Sequence, residues 1–209
     1  MAVEQLATPA PTARGSALRE RKRTRTMRTI QSEALRLFTE RGYERTTIEE
    51  IADAVALSPR TFFRYFPTKE DVVLWDEYDP VSREMLEGRP AGEPVLESVC
   101  AISREILAQL QRRDRDRLLL RARLTAAVPA LRARTWEQQA LAAEGLATVL
   151  AARSGLAADD LGTRVIAAAI SATAIIVADV WQASGGHDDI ATLFDAASTA
   201  LSDSFRRGA

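Results

Sequence analysis

Apolar residues recur at helical spacing along most of this chain. Ile30, Ala34, Leu37 and Phe38 fall at i, i+4, i+7 and i+8, ahead of Gly42, where a left-handed helix cap belongs. Thr47 opens a second helix, with Glu50 three residues on as its capping-box partner and Ile48, Ile51, Ala52 and Val55 as its apolar stripe. Ser58 and Pro59 suit the N-cap and first-turn proline of a third. Thr68 with Asp71 repeats the capping box and opens a fourth, which Pro80 should end or kink. Beyond a Gly/Pro loop at 88–92, Glu93-Pro94 predicts a helix to about Arg112, and another covers about Asp114 to Ala127. Pro129 opens a long helix ending at Ser154-Gly155. Asp159 to Ala183 predicts a highly apolar helix, Gly185-Gly186 breaks it, and Asp188 to Arg206 makes the last. The alternation of strands is nearly absent, so the expected fold is all-α, with roughly nine helices.

Composition narrows the function classes. The 209 residues, 46% apolar and 27% charged, can bury a sizeable core in one large domain or two small ones. Cys100 is the single cysteine, so no intrachain disulfide framework exists. The longest apolar run, Val165 to Ala178, is interrupted by Ser171 and Thr173 and falls short of the ~20 residues that span a bilayer. Met1 to Pro11 lacks the basic segment and apolar stretch of a secretory signal, so a cytoplasmic protein with no membrane partner is expected.

The net charge of −1 hides an asymmetry. Residues 1–69 carry 13 basic and 8 acidic side chains, and residues 70–209 carry 15 and 21. A basic amino-terminal third on an acidic body suits a nucleic-acid reader with a second domain, although a solvated basic tail has the same sign. Ala, Thr and Pro crowd residues 7–13, and a flexible tail is expected over 1–18. The basic stretch Arg19, Arg21, Lys22, Arg23, Arg25 and Arg28 follows, opposed by Glu20 alone. It either touches DNA or is merely solvated.

The third helix divides by angle. With Arg60 at zero, Arg64 falls near 40°, Thr61 near 100° and Tyr65 near 140°, while Phe62, Phe66 and Phe63 fall between about 200° and 300°. One face is apolar, and the other offers guanidinium and hydroxyl groups that can pair with base edges or phosphates. So short a helix cannot bury three aromatics alone, so the two helices before it must supply the core. Helix, short connection and polar-faced helix together make a helix-turn-helix. A plain amphipathic helix facing water satisfies the same pattern.

Enzymatic signatures are missing. His187 is the only histidine and Cys100 the only cysteine, so there is no His/Cys metal cluster and no Cys–His pair at a recognisable spacing, and GxSxG, Walker A and GxGxxG motifs do not occur. His187 precedes Asp188-Asp189, which reads as a helix start with acidic residues at its positive end. No enzyme, metal or cofactor is expected.

The stretch from Arg28 to Val72 resembles the DNA-binding domain of TetR-family transcriptional repressors. The marks are Ala34 and Phe38, Gly42-Tyr43, Thr46-Thr47, Ile51-Ala52, Ser58, Thr61, the aromatic run ending Tyr65-Phe66, and Lys69-Glu70. At the turn the family usually has glycine and this chain has Ala56; if the turn is kept, its backbone is in less favourable geometry. Phe63 stands where tyrosine is frequent. The resemblance implies a helix-turn-helix domain over 19–68 and a carboxy-terminal helical ligand-binding and dimerisation domain over 69–209. It implies that Thr46 and Thr47 meet phosphate, that Arg60, Thr61 and Arg64 face the major groove, and that Tyr65 and Lys69 hold backbone phosphates.

The family's carboxy-terminal helices generally bind a small effector that repositions the two DNA-binding heads. The candidate lining is Trp75, Tyr78, Cys100, Leu107, Leu120, Leu124, Trp136 and Trp181, each of which also fits plain core packing. Arg121 and Arg123 could meet an anionic effector or simply be exposed. The RTFFRYF segment resembles a branch that includes acyl-CoA-responsive regulators. Ile166, Ile170, Ala174 and Val177, with Ile190, Phe194, Ala197 and Leu201, are the candidate interface of a homodimer, or else pack inside one subunit. The expected function is a ligand-responsive repressor released from a near-palindromic operator by a small, hydrophobic effector. The alternative is an all-α protein-interaction or enzymatic module whose helix-turn-helix serves protein contacts.

Overall fold

The computed structural model describes residues 13–76, 85, 88–90, 92–155 and 157–207. It contains eight helices and no strand among these residues. They are α1 (Ala13–Arg41), α2 (Ile48–Ala54), α3 (Pro59–Phe63), α4 (Lys69–Leu74), α5 (Val95–Ala127), α6 (Pro129–Ser154), α7 (Leu161–Ala183) and α8 (Ile190–Arg207). Pro80 and Tyr78 lie outside the described residues.

The local signals act where the sequence places them. Thr47 and Glu50 close a reciprocal capping box on α2, and Thr68 and Asp71 close one on α4. The Ser58 hydroxyl accepts the Thr61 amide, with Pro59 in the first turn of α3. Asp160 caps α7, and the Asp189 carboxylate accepts the Thr192 amide at the start of α8. Gly42 (φ +88°) accepts the left-handed turn that ends α1.

Two helix boundaries differ from the pattern. α1 starts at Ala13, inside the stretch expected to be a tail, because its alanines and arginines propagate the helix that Ile30 to Phe38 anchor. The two helices expected on either side of residue 113 form one kinked helix, α5, whose only non-helical backbone is at Asp114 (φ −141°, ψ 31°). The Asp114 carboxylate there accepts hydrogen bonds from Arg117, at 3.0 Å, and from Arg28 of α1.

The first core gathers Ile30, Ala34, Leu37 and Phe38 of α1, Ile51 and Ala52 of α2, and Phe62 and Phe66. It also takes in Val72 and Val73 of α4 and Leu131 of α6, with Leu120 and Leu124 of α5 packed against it. The boundary expected between residues 68 and 69 therefore falls inside one continuous core. Phe63 is 49% exposed, at the edge of the apolar face rather than within it. A second core holds Leu119, Val177, Trp181, Ile190 and Phe194 beneath the turn at Gly186, where an added Cβ would lie 3.0 Å from the Trp181 ring.

Among the described helices, α7 alone is long and apolar enough to cross a membrane. It outruns the uninterrupted apolar segment because interruptions such as Thr173, whose hydroxyl donates to the Ala169 carbonyl at 2.8 Å, satisfy themselves inside the helix. In this fold it packs Thr163, Ala167, Ile170, Val177 and Trp181 inward.

The turn after α2 puts a residue with a Cβ in left-handed geometry. Ala56 has φ +54°, with its amide on Asp53 and the Leu57 amide on Ala52, a Schellman closure that normally takes glycine. Ala56→Gly is expected to raise unfolding stability by about 0.5–1 kcal/mol in urea titrations, the relief of strain exceeding the added chain entropy. A lower denaturation midpoint would mean that the turn carries no strain.

Candidate functional site

The second and third helices are held by the first core so that the polar side of α3 faces outward. Arg60 and Arg64 are exposed, and Thr61 is half-buried with its hydroxyl 2.9 Å from that of Ser58. Tyr65 is half-buried, with the Arg23 and Arg64 guanidinium carbons 5.4 and 5.8 Å from its ring centroid. The expected basic stretch therefore lies on α1, and Arg23 joins it to the end of the recognition segment. Thr47 is exposed at the start of α2, but its amide donates to Glu50. That hydrogen bond holds Glu50 below the usual carboxylate range against a smaller effect of burial, helped by Arg41 at 2.8 Å.

Two expected phosphate contacts are taken up internally. Thr46 is 1% exposed, and its hydroxyl donates to the Gly42 carbonyl at 2.9 Å, so no surface is left for a phosphate. Lys69 is half-buried and donates to the carbonyls of Tyr43 (2.9 Å) and Thr46 (3.3 Å), with its ammonium 4.1 Å from the centre of the Tyr43 ring. It ties α4 to the α1–α2 turn, leaving one of its three donors uncommitted to these carbonyls. The Tyr43 hydroxyl in turn donates to Glu70 at 2.7 Å. Burial, then this carboxylate, pushes the phenol well above its ordinary value. Burial also acts to raise Glu70, yet that group lies below its usual range because the Tyr43 hydrogen bond and others outweigh it.

A cavity of about 700 Å³ lies between the helix-turn-helix and the helices that follow. Met27 of α1, Tyr65, Phe66, Asp71, Leu74 and Trp75 form one side. Leu118, Arg121 and Thr125 of α5, Gln138 and Leu141 of α6, and Ala174, Ile175 and Asp179 of α7 form the other. Among the described residues of the expected lining, only Trp75 is there. Trp181 is fully buried in the second core with its indole N–H on the Asp188 carbonyl, and Cys100 and Leu107 pack against that core. Leu120 and Leu124 serve the first core, and Trp136 is 54% exposed. Apart from the exposed Trp136 these are packing positions, since a large apolar side chain reads alike in a core and in a cavity.

The last turn of α4 abuts this cavity, and groups from two other helices satisfy its carbonyls. Gln31 of α1, only 1% exposed, donates to Val72 at 2.8 Å and Trp75 at 3.0 Å. Arg121 of α5 donates to Val73 at 2.9 Å and Leu74 at 3.2 Å. Sequence reasoning missed Gln31, although an amide inside the apolar stripe of α1 was the available signal. Arg123, the other arginine considered for an effector, is exposed and does not line the cavity.

The expected dimer residues divide. Ile170, Val177, Ile190 and Phe194 are buried inside the subunit, Ala197 packs on the second core, and Leu201 is half-buried. Ala174 lines the cavity, and Ile166 is exposed. With Leu161, Val165, Ile176 and Val180, Ile166 forms an exposed apolar face of α7. That helix is apolar on several sides, so periodicity alone did not separate the inward stripe from this one.

A short, outward-facing α3 on a three-helix core, joined by α4 to a larger helical body that carries a cavity, is the arrangement of a bacterial helix-turn-helix regulator. Residues 30–74 match the family described as bacterial regulatory proteins, tetR family, and residues 93–206 match the MftR C-terminal domain. The chain is 36% identical to the HTH-type transcriptional regulator TcmR of Streptomyces glaucescens over 81% of this chain and 79% of that protein. It is also similar to the crystal structure of Thermus thermophilus FadR, a TetR-family transcriptional repressor in complex with lauroyl-CoA. That match has 25% identity and a TM-score of 0.52 over 84% of this chain and 92% of that one. NalD of Pseudomonas aeruginosa, the secondary repressor of the MexAB-OprM multidrug efflux pump, shares the fold at 18% identity and a TM-score of 0.56, over 88% and 96% of the two chains. The chain belongs to the TetR family of bacterial transcriptional regulators.

Proposed function

We propose that this chain is a ligand-responsive repressor acting in the cytoplasm as a homodimer, released from a near-palindromic operator by a small, largely apolar effector. The observation that carries this reading is the cavity whose walls include both Tyr65-Phe66, at the end of the recognition segment, and residues of α5, α6 and α7. An occupant there touches the DNA-binding unit and the body at once. The lauroyl-CoA bound to Thermus FadR supports a small effector and keeps acyl-CoA among the candidates. Arg60, Thr61 and Arg64 read bases, and Thr47 and Tyr65 meet phosphate. Arg23, one turn of α1 from other exposed arginines, adds backbone contacts.

A single head reads too few base pairs for useful specificity, so two heads about one helical turn apart are required. The apolar face Leu161, Val165, Ile166, Ile176 and Val180 is the proposed contact, joined by the exposed small residues Ala196 and Ala200 of α8. It is apolar and exposed within one subunit, as an isologous interface requires.

Binding of the protein to the DNA upstream of its own gene should be sequence-selective and fall steeply with salt. Arg60→Ala and Arg64→Ala should each weaken the specific complex by about 1–3 kcal/mol with little change in non-specific affinity. Lys69→Ala should lower the denaturation midpoint, because its ammonium ties α4 to the carbonyls of Tyr43 and Thr46, and an unchanged midpoint would mean that this tie carries no stability. Binding with no sequence preference and no salt dependence would remove the repressor reading.

Sedimentation tests the interface. The wild type should sediment as a dimer at micromolar concentration, and Val165→Glu or Ile176→Glu should yield folded monomers. Phe194→Glu should instead unfold the subunit, because that ring is buried in the second core. Intact dimers in both α7 variants would move the interface elsewhere.

A further inference from the structure

We propose that α7 packs antiparallel on α7 of a second copy of this chain, centred at Ala172, and that Arg164 of each copy pairs with the partner subunit's Asp179. The proposal rests on the homodimer reading and adds the register and the charges that select it. Arg164 and Asp179 are the only charged side chains of α7, one near each end. Both are exposed, and neither has a side-chain hydrogen bond or ion pair among the described residues. With Ala172 at zero and ~100° per residue, Leu161, Val165, Ala168, Ile176 and Asp179 fall within about 40° of it. The buried Thr163, Ala167, Ile170, Val177 and Trp181 fall on the opposite side, more than about 130° away. Asp179 therefore stands inside the exposed apolar stripe and Arg164 at its margin. A contact made through this stripe dries both charges, which is costly unless each meets its opposite.

The positions are self-complementary. Arg164 lies about 12 Å along the helix from Ala172 towards the amino end, and Asp179 about 10.5 Å towards the other end. A two-fold axis lying in the contact plane beside Ala172 reverses the helix and keeps each residue on its own side of the stripe. Arg164 and Asp179 share one side, near −80° and −20°, so the axis sets each Arg164 level with the partner subunit's Asp179 to within about 2 Å. Val165 and Val180, near +20° and +80°, meet across the axis on the other side in the same way. Ala172 falls at the centre, where the helices come closest and a larger side chain would hold them apart. A parallel two-fold pairing would instead set Arg164 beside the partner subunit's Arg164 and Asp179 beside the partner subunit's Asp179, and like charges repel. The two charges thus select the antiparallel arrangement.

The test mixes two full-length single variants, Arg164→Asp and Asp179→Arg, carrying a donor and an acceptor dye at their amino termini. Energy transfer is followed until subunit exchange is complete. A dimer of either variant alone opposes like charges at both cross-pairs, whereas the mixed dimer restores opposite charges at both. Mixed dimers should therefore exceed their chance proportion relative to the two homodimers by about tenfold or more, and the excess should shrink with added salt. The protein carrying both substitutions should dimerise with itself as the wild type does, and exchange little with the wild type. Mixing of the single variants at the chance proportion, or free exchange of the double variant with the wild type, would overturn the proposal. Wild-type dimers whose variants mix by chance lose this inference alone and keep the homodimer reading. A wild type that sediments as a monomer at micromolar concentration removes the homodimer reading and this inference with it.

Discussion

The carbonyl end of α4 is the constraint on which the rest of this structure depends. A six-residue helix leaves most of its carbonyls without intrahelical donors, and here four successive ones, Val72 to Trp75, are covered from outside. Gln31 reaches them from α1 and Arg121 from α5. Two units that the sequence separates thus share one set of hydrogen bonds, and a shift of α5 must either carry α4 along or leave buried acceptors unpaired, at about 1–3 kcal/mol each. The Arg28–Asp114 and Arg134–Asp71 pairs and the burial of Leu131 against α1 and α4 reinforce the same joint.

This joint lies beside the cavity, and under the proposed ligand-responsive reading that position is where an effector acts on the DNA-binding unit. A separate effector domain would need a long relay to reach the DNA-binding helices. Here Arg121 and Tyr65 line the same cavity, one gripping α4 and the other supporting the arginines at the end of the recognition segment. The exposed side of α7 fits the proposed homodimer, since so apolar an outer face suits a contact between two subunits.

Much of this was legible in the sequence, for identifiable physical reasons. The capping boxes at Thr47 and Thr68, the proline start of α3 and the glycine turns are local chemistry, so residue types alone fix their positions. The left-handed geometry at Ala56 was legible only through the resemblance, which places glycine at that turn. What failed depends on the third dimension. Thr46 and Lys69 are polar residues whose partners are backbone carbonyls, and no residue pattern announces a carbonyl in need of a donor. Phe63 falls at the margin of a helical wheel, where a few degrees separate burial from exposure. Along α7, Ile170 and Ile176 are the same residue type on two apolar sides, and only packing shows that one faces α5 and α6 while the other faces out. Trp181 and Trp136 illustrate the same limit for the cavity.

The central claim is that DNA affinity depends on donors that hold α4 from the body of the protein. Arg121→Met keeps most of the side-chain volume and removes both donors to Val73 and Leu74. The direct measurement is the affinity of the folded variant for the protein's own upstream DNA, by fluorescence anisotropy beside the wild type. The account predicts a clear loss of specific affinity with non-specific binding retained, although Arg121 stands away from the DNA-facing side of α3. Unchanged specific affinity in a folded Arg121→Met protein would contradict it.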